Sequence, residues 1–189
     1  NSMLRQNVAG EMRAIGLSNF SLVEMQEAMK YGQVDVIQPC YSLLWRYDEE
    51  LLRFSLENDI SVIPYSTLAQ GLLTGKFKKD TVFTDGRAKA ALFQPENYPR
   101  CLQVTEVLSQ VSAKYGKTPA QGAIAWLLQT PGITAPIVGA KNGKQAEENL
   151  QAVGWQFSQE DYDTIDRASR TFMESLPQYT LFFNTNTAD

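Results

Sequence analysis

Met12-Arg13-Ala14-Ile15-Gly16-Leu17-Ser18-Asn19-Phe20 reads as a short apolar strand, Met12 to Leu17, running into polar turn residues. Ser21, with Glu24 three residues on, then forms a capping box for a helix carrying Leu22, Met25, Ala28 and Met29, with Gly32 as its stop. Working outward, further strand patterns lie at Val34 to Gln38, Ile60 to Tyr65 and Ile133 to Gly139. Helical patterns alternate with them. Asp48 opens one with Leu51, Leu52 and Leu56 on a face and Asn58 at its close, and Thr118, Pro119 and Gln121 start another. Asn142 with Gln145 caps a helix bearing Ala146, Leu150 and Val153, and Ser158 caps a last one bearing Tyr162 and Ile165. Strand-helix alternation implies a parallel α/β sheet, because parallel neighbours need a crossover of a dozen or more residues. Leu17-Ser18-Asn19-Phe20 contains no G-x-G-x-x-G turn, so a TIM-barrel (β/α) architecture is preferred over a doubly wound sheet. The expectation is one domain over residues 1–189, with about four βα units, a C-terminal helix and a tail. The third unit is irregular: Lys76 to Pro99 is a long polar and aromatic stretch, followed by a helix-like segment from about Arg100 to Tyr115. A loop of that length is more often functional than incidental.

Composition removes several function classes. With 17 basic and 21 acidic residues, scattered rather than striped, the chain favours neither nucleic acid nor anionic lipid. There is no histidine, which excludes the commonest general base, the commonest zinc ligand and every Ser/His/Asp or Cys/His nucleophile. Cys40 and Cys101 form no motif, no membrane span or signal-peptide pattern is visible, and a reducing, cytoplasmic setting is the simplest expectation.

Arg13-Ala14-Ile15-Gly16-Leu17-Ser18-Asn19-Phe20 resembles the aldo-keto reductase family, and so does Gln38-Pro39-Cys40-Tyr41-Ser42-Leu43-Leu44. The resemblance extends through Val62-Ile63-Pro64-Tyr65-Ser66 to Leu68-Ala69-Gln70-Gly71-Leu72-Leu73-Thr74-Gly75-Lys76. It continues with Thr118-Pro119-Ala120-Gln121, Ala125-Trp126-Leu127, and Gly139-Ala140-Lys141 with Gln145, Glu148 and Asn149. It implies an oxidoreductase that reduces aldehydes and ketones with NADP(H), a small-molecule carbonyl substrate, and a match to the fifth to eighth strands of the barrel. The family's catalytic Asp, Tyr, Lys and His belong to the other half, so no catalytic residue is assigned here; Tyr41, Tyr65 and Lys76 sit in other positions by the same resemblance.

By resemblance, Ser18, Asn19 and Gln38 hydrogen-bond the nicotinamide carboxamide and Tyr65 stacks on its ring; without it, Ser18 and Asn19 read as a turn before the helix. Ser66, Leu68, Gln70, Gly71, Leu72, Thr74 and Lys76 form a loop able to wrap a pyrophosphate, with Arg87 as a weaker clasp. Gly139 and Lys141 precede a helix N-terminus, where Lys141 suits an adenosine 2′-phosphate; the resemblance implies that Gln145, Glu148 and Asn149 line the adenine and ribose, whereas their spacing alone reads as an exposed polar face capped by Asn142. Thr67 stands where the family usually has Pro. Tyr41 and Trp45 after the second strand, with the aromatic tail Tyr179 to Phe183, are candidates to roof a substrate pocket.

Four parallel strands without closure leave bare edges, so the missing barrel half or a homo-oligomer is expected to cover them. Two other readings stay open: a cofactor-binding or regulatory half-barrel module without chemistry, and a scaffold surface for protein partners.

Overall fold

Three strands form a parallel sheet, in the order β1 (Gly16–Ser18), β2 (Val36–Gln38) and β3 (Ser61–Val62), in the computed structural model, which describes Arg5 and residues 10–177. Gly16 faces Val36 and Ser18 faces Gln38, while Val36 faces Ser61 and Ile37 faces Val62. Among the described residues six helices of eight residues or more follow or separate them: α1 (Leu22–Met29), α2 (Glu49–Glu57), α3 (Tyr98–Ala113), α4 (Pro119–Gln129), α5 (Gly143–Leu150) and α6 (Gln159–Glu174). The caps read from sequence form. Ser21 and Glu24 make a reciprocal box, as do Thr118 and Gln121, while Asn142 and Ser158 accept from the third-residue amides of α5 and α6. Asp48 occupies the N-cap of α2 without making a side-chain cap bond.

The strands are shorter than their apolar patterns. At the first, the Asp35 carboxylate takes the Ile15 N–H at 2.7 Å, so regular pairing begins only at Gly16. At the third, Pro64 has no N–H, and pairing resumes as a single bridge between Cys40 and Tyr65. The fourth expectation, a strand at Ile133 to Gly139, is corrected. This segment runs beside β3, with Thr134 N–H and Ile137 N–H donating to the Val62 and Pro64 carbonyls at 2.9 and 2.8 Å. The Val62 N–H, however, goes to the Thr134 hydroxyl at 3.1 Å, and Pro136 offers no donor, so no ladder propagates.

Ile37, Leu43, Leu44, Leu51, Val62 and Leu72 are buried with Leu108, Trp126 and Leu127 from the helices. Within the irregular stretch after Lys76, 3₁₀ turns at Gly86–Lys89 and Ala91–Phe93 sit on an aromatic cluster. Phe83 lies 5.0, 4.8 and 5.3 Å from the rings of Phe77, Phe93 and Tyr98. The stretch is therefore packed onto the domain and not simply solvated. Among the described residues no helix is long and apolar enough to cross a membrane. The tail Tyr179 to Phe183 lies outside the described residues.

Candidate functional site

The C-terminal ends of the three strands bring one group of the sequence-predicted residues together. Ser18 donates its hydroxyl to the Gln38 carbonyl at 3.0 Å, and the Asn19 N–H reaches the same oxygen at 3.4 Å. Asn19 has φ 57°, a left-handed conformation that Asn tolerates better than most residues. Its side-chain oxygen accepts from the Tyr65 hydroxyl at 2.9 Å, which fixes the amide plane and directs the Asn19 NH₂ away from Tyr65. Burial, and then Cys40 beside it, push the Tyr65 phenol up to about 12. That shift keeps the ring a neutral platform and a donor to Asn19, opposite to the tuning of a general acid for neutral pH.

Next to this group lies a cavity of about 790 Å³, within the size range of small-molecule and cofactor sites. On one side it is walled by the loop after β3, which contributes Ser66, Leu68, Gln70, Gly71, Thr74 and Lys76. On the other stand Gly139 and Lys141 with Gln145, Glu148 and Asn149 of α5, and Arg87 closes a third side. The loop holds Ser66, Ala69 and Gln70 at φ 56°, 46° and 53°, with Gly71 at 95°. Non-glycine residues there are strained by about 1–2 kcal/mol each, and such strain concentrates at ligand clamps. A Cβ at Gly71 would lie 2.9 Å from Lys76 Nζ, so glycine is what lets the ammonium fold over the loop. The Thr74 hydroxyl closes that turn by donating to the Gly71 carbonyl at 2.7 Å.

Charge in the cavity is mostly positive. Partial burial, and then the nearby charges of Arg87 and Lys141, hold the Lys76 ammonium below its ordinary pKa. Among the described residues neither Lys76 nor Lys141 forms an ion pair, whereas Arg87 is bound by Asp85 at 2.6 Å. Two ammonium groups in one cleft without an ion-pair partner among the described residues fit a multiply charged anion such as a dinucleotide's phosphates. At α5, Asn142 accepts from Gln145 N–H at 2.9 Å while Gln145 accepts from Lys141 N–H at 2.8 Å. The polar run thus serves as a cap and as cavity wall at once. No group of three or more metal-ligating side chains occurs among the described residues.

Three expected positions lie elsewhere. Tyr41 is 1% exposed, stacked on Trp126 at 6.0 Å, and Trp45 is 4% exposed, edge-on to Tyr47, so both pack into the core beneath the strand ends instead of roofing a pocket. Burial pushes the Tyr41 phenol well up, away from any acid role. Leu72 is fully buried, with its carbonyl accepting from Thr105, and its place in the loop is one of packing. Conversely, Thr67, Asp85, Thr118, Ala120, Ile137 and Ala140 line the cavity and were not assigned to it from sequence. Thr118 and Ala120 belonged to a recognised motif whose capping role hid the second one; Asp85 sits in the irregular stretch, where no periodicity marks a site.

Thr67 changes the local chemistry as well. Its hydroxyl, in a side chain only 2% exposed, donates to the Ile137 carbonyl at 2.9 Å and ties the loop after β3 to the opposite wall. Thr67→Val keeps the shape and removes the bond, so stability should fall by about 1–2 kcal/mol in urea denaturation. An unchanged midpoint would mean that this tie does not hold the walls together.

The sequence matches the model of the Aldo/keto reductase family over residues 2–170. It is 36% identical over 153 residues to the NADH-specific methylglyoxal reductase of Escherichia coli, covering 80% of this chain and 47% of that protein. To the aldo-keto reductase yakc [NADP(+)] of Schizosaccharomyces pombe it is 32% identical, covering 77% of this chain and 44% of that one. The glycerol dehydrogenase AKR11B4 of Gluconobacter oxydans superposes with a TM-score of 0.83 at 26% identity, over 99% of this chain and 54% of its own. The chain spans about half the length of the curated relatives it matches.

Proposed function

This chain belongs to the aldo/keto reductase family, and on that premise we propose that it builds the NADP(H) site of an oxidoreductase acting on aldehydes and ketones. The observation carrying the proposal is the cationic cavity set directly beside the polar strand ends, because a nicotinamide dinucleotide needs both an anion cradle and an amide-recognising surface. Lys76 and the loop from Ser66 to Thr74 would hold the diphosphate, Lys141 the 2′-phosphate, and Gln145, Glu148 and Asn149 the adenosine. Ser18, Asn19 and Gln38 would bind the carboxamide. When bound, the dihydronicotinamide supplies a hydride to a carbonyl carbon.

What the chain's own residues contribute is orientation. Tyr65 fixes the Asn19 amide and offers a flat apolar face that excludes water from one side of a ring. Neither tyrosine near the strand ends is suited to deliver a proton to the carbonyl oxygen, since the Tyr41 and Tyr65 phenols are both shifted up by burial. In this proposal the βα units correspond to the fifth to eighth of the barrel, and the family's Asp, Tyr, Lys and His act from the other half. The outer edges of β1 and of the segment 133–139 are where further barrel strands, or a second copy, would pair.

Calorimetric titration of the protein with NADPH and with NADH tests this. Lys141→Glu should weaken NADPH about tenfold or more and NADH far less, since charge reversal beside an exposed phosphate is worth about 1–4 kcal/mol before full screening. Equal losses for both would place the 2′-phosphate elsewhere, and no binding of either would remove the cofactor reading.

A further inference from the structure

Asp85 lines the cofactor cavity but is the wrong sign for it. Its two carboxylate oxygens receive Arg87 Nε at 2.9 and 3.1 Å and Nη2 at 2.6 Å, while Oδ1 also accepts the Arg87 backbone N–H at 3.0 Å. The guanidinium is further held 5.2 Å from the ring centres of both Phe77 and Phe83. Arg87 is thus the cavity's most firmly held cation, and the carboxylate that holds it uses the fork a phosphate would need. The hydrogen bonds from Arg87 pull the Asp85 carboxyl down to about 2, so it is ionised throughout the working range.

The cavity carries Lys76, Arg87 and Lys141 against Asp85 and Glu148, a single net positive charge. A dinucleotide diphosphate brings two negative charges, and a phosphomonoester adds about 1.5–2 more at neutral pH. We propose that Asp85 is a specificity-determining residue of this site: by occupying the Arg87 fork and adding a fixed negative charge, it disfavours the nucleotide bearing the additional phosphomonoester relative to the one without it. Lys141 attracts that phosphate and Asp85 restrains it, so the two residues set the NADPH/NADH ratio from opposite directions. The inference rests on the cofactor assignment above and goes beyond it in naming a residue that opposes the preferred ligand.

Asp85→Asn is the informative change, because Asn keeps an oxygen to cap the turn at Gly86–Lys89 while it removes the charge and the second acceptor that holds the Arg87 fork. Its melting temperature should match the parent; if the turn does not survive, Asp85→Ser keeps a capping oxygen and serves instead. Titration with NADPH and NADH, and with adenosine 2′,5′-bisphosphate and ADP as probes lacking nicotinamide, should show NADPH and the bisphosphate tightening about three- to fivefold, in the range of exposed charge effects. NADH and ADP, which share the diphosphate but lack the phosphomonoester, should tighten less, and the salt dependence of NADPH binding should steepen. Arg87→Gln should cost NADPH little in the parent, where the fork is already occupied, yet erase the gain in the Asp85→Asn background. Equal shifts for both nucleotides, or none, with Lys141→Glu still selective, would overturn the role of Asp85 and leave the cofactor site standing. Failure of the parent protein to bind any of the four ligands would overturn both.

Discussion

Arg46→Met is expected to lower the stability of this fold by about 3 kcal/mol, the lower end of the range for breaking a buried ion pair from one side. The guanidinium is almost fully buried and touches three groups at once: Glu49 through Nε at 2.6 Å, Asp166 through Nη1 at 2.7 Å, and the Ser169 hydroxyl at 3.2 Å. It also lies 5.0 Å from the centre of the Trp126 ring, itself sandwiched between Tyr41 and Tyr162. These contacts tie the segment after β2 to α6, and Ser169 completes the tie by donating to the Leu43 carbonyl at 2.5 Å. Burial raises the Glu49 carboxyl, but Arg46 and then Arg170 more than reverse it, so losing Arg46 removes the stronger of the two cations that keep it charged. The loss stays near the lower end because Arg170 still reaches Glu49 at 3.0 Å and Asp166 at 2.7 Å. Met preserves the packing against Trp126, so the fall in urea midpoint reports the charge left behind. A change under about 1 kcal/mol would show that Arg170 alone neutralises the pair.

The same region shows what a sequence can and cannot convey. Helix starts were legible, because Ser21, Thr118, Asn142 and Ser158 act through bonds three residues away, and local chemistry is written in local order. So was the cavity wall, where Lys76, Lys141 and the α5 polar face come from motifs recognisable as units. Tyr41 and Trp45 were not: an aromatic following a strand reads alike whether it turns outward to a ligand or inward to Trp126, and the helix that decides is about eighty residues away in the chain. The segment Ile133 to Gly139 misled for a different reason. Its apolar pattern is that of a strand, but one hydroxyl, from Thr134, and one missing donor, at Pro136, are enough to divert the pairing. Asp85 was invisible because its meaning is relational: only the fold shows that it lines the same cavity as Lys76 and Lys141 while its carboxylate holds Arg87.

Asp48→Asn is expected to stabilise the protein by about 1–3 kcal/mol at pH 7.5 and by almost nothing at pH 4. Asp48 stands at the N-cap of α2 but makes no cap bond, and burial alone raises its carboxyl from 3.8 to about 6. Between pH 4 and 6 the folded protein therefore keeps a proton that the unfolded chain has released, so stability contributed at this site is lost as pH rises through that window. A rise of that size corresponds to about 3 kcal/mol above pH 6. Solvent contact at the partly exposed side chain and the positive end of the helix dipole, worth about 0.3–1 kcal/mol to an anion, both reduce it. Burial holds the neighbouring Cys40 thiol and Tyr65 phenol at about 12, so neither titrates in this range. The carboxyls of Glu24, Glu49 and Asp161 are all held below their ordinary values, so their effect runs the other way and lies at more acid pH, and it cancels in the comparison of variant with parent. Urea denaturation of both proteins from pH 4 to 8 should show curves that meet near pH 4 and separate through pH 6. A gap that stays constant with pH would mean that Asn stabilises by capping α2, and that the Asp48 carboxylate is solvated where it stands.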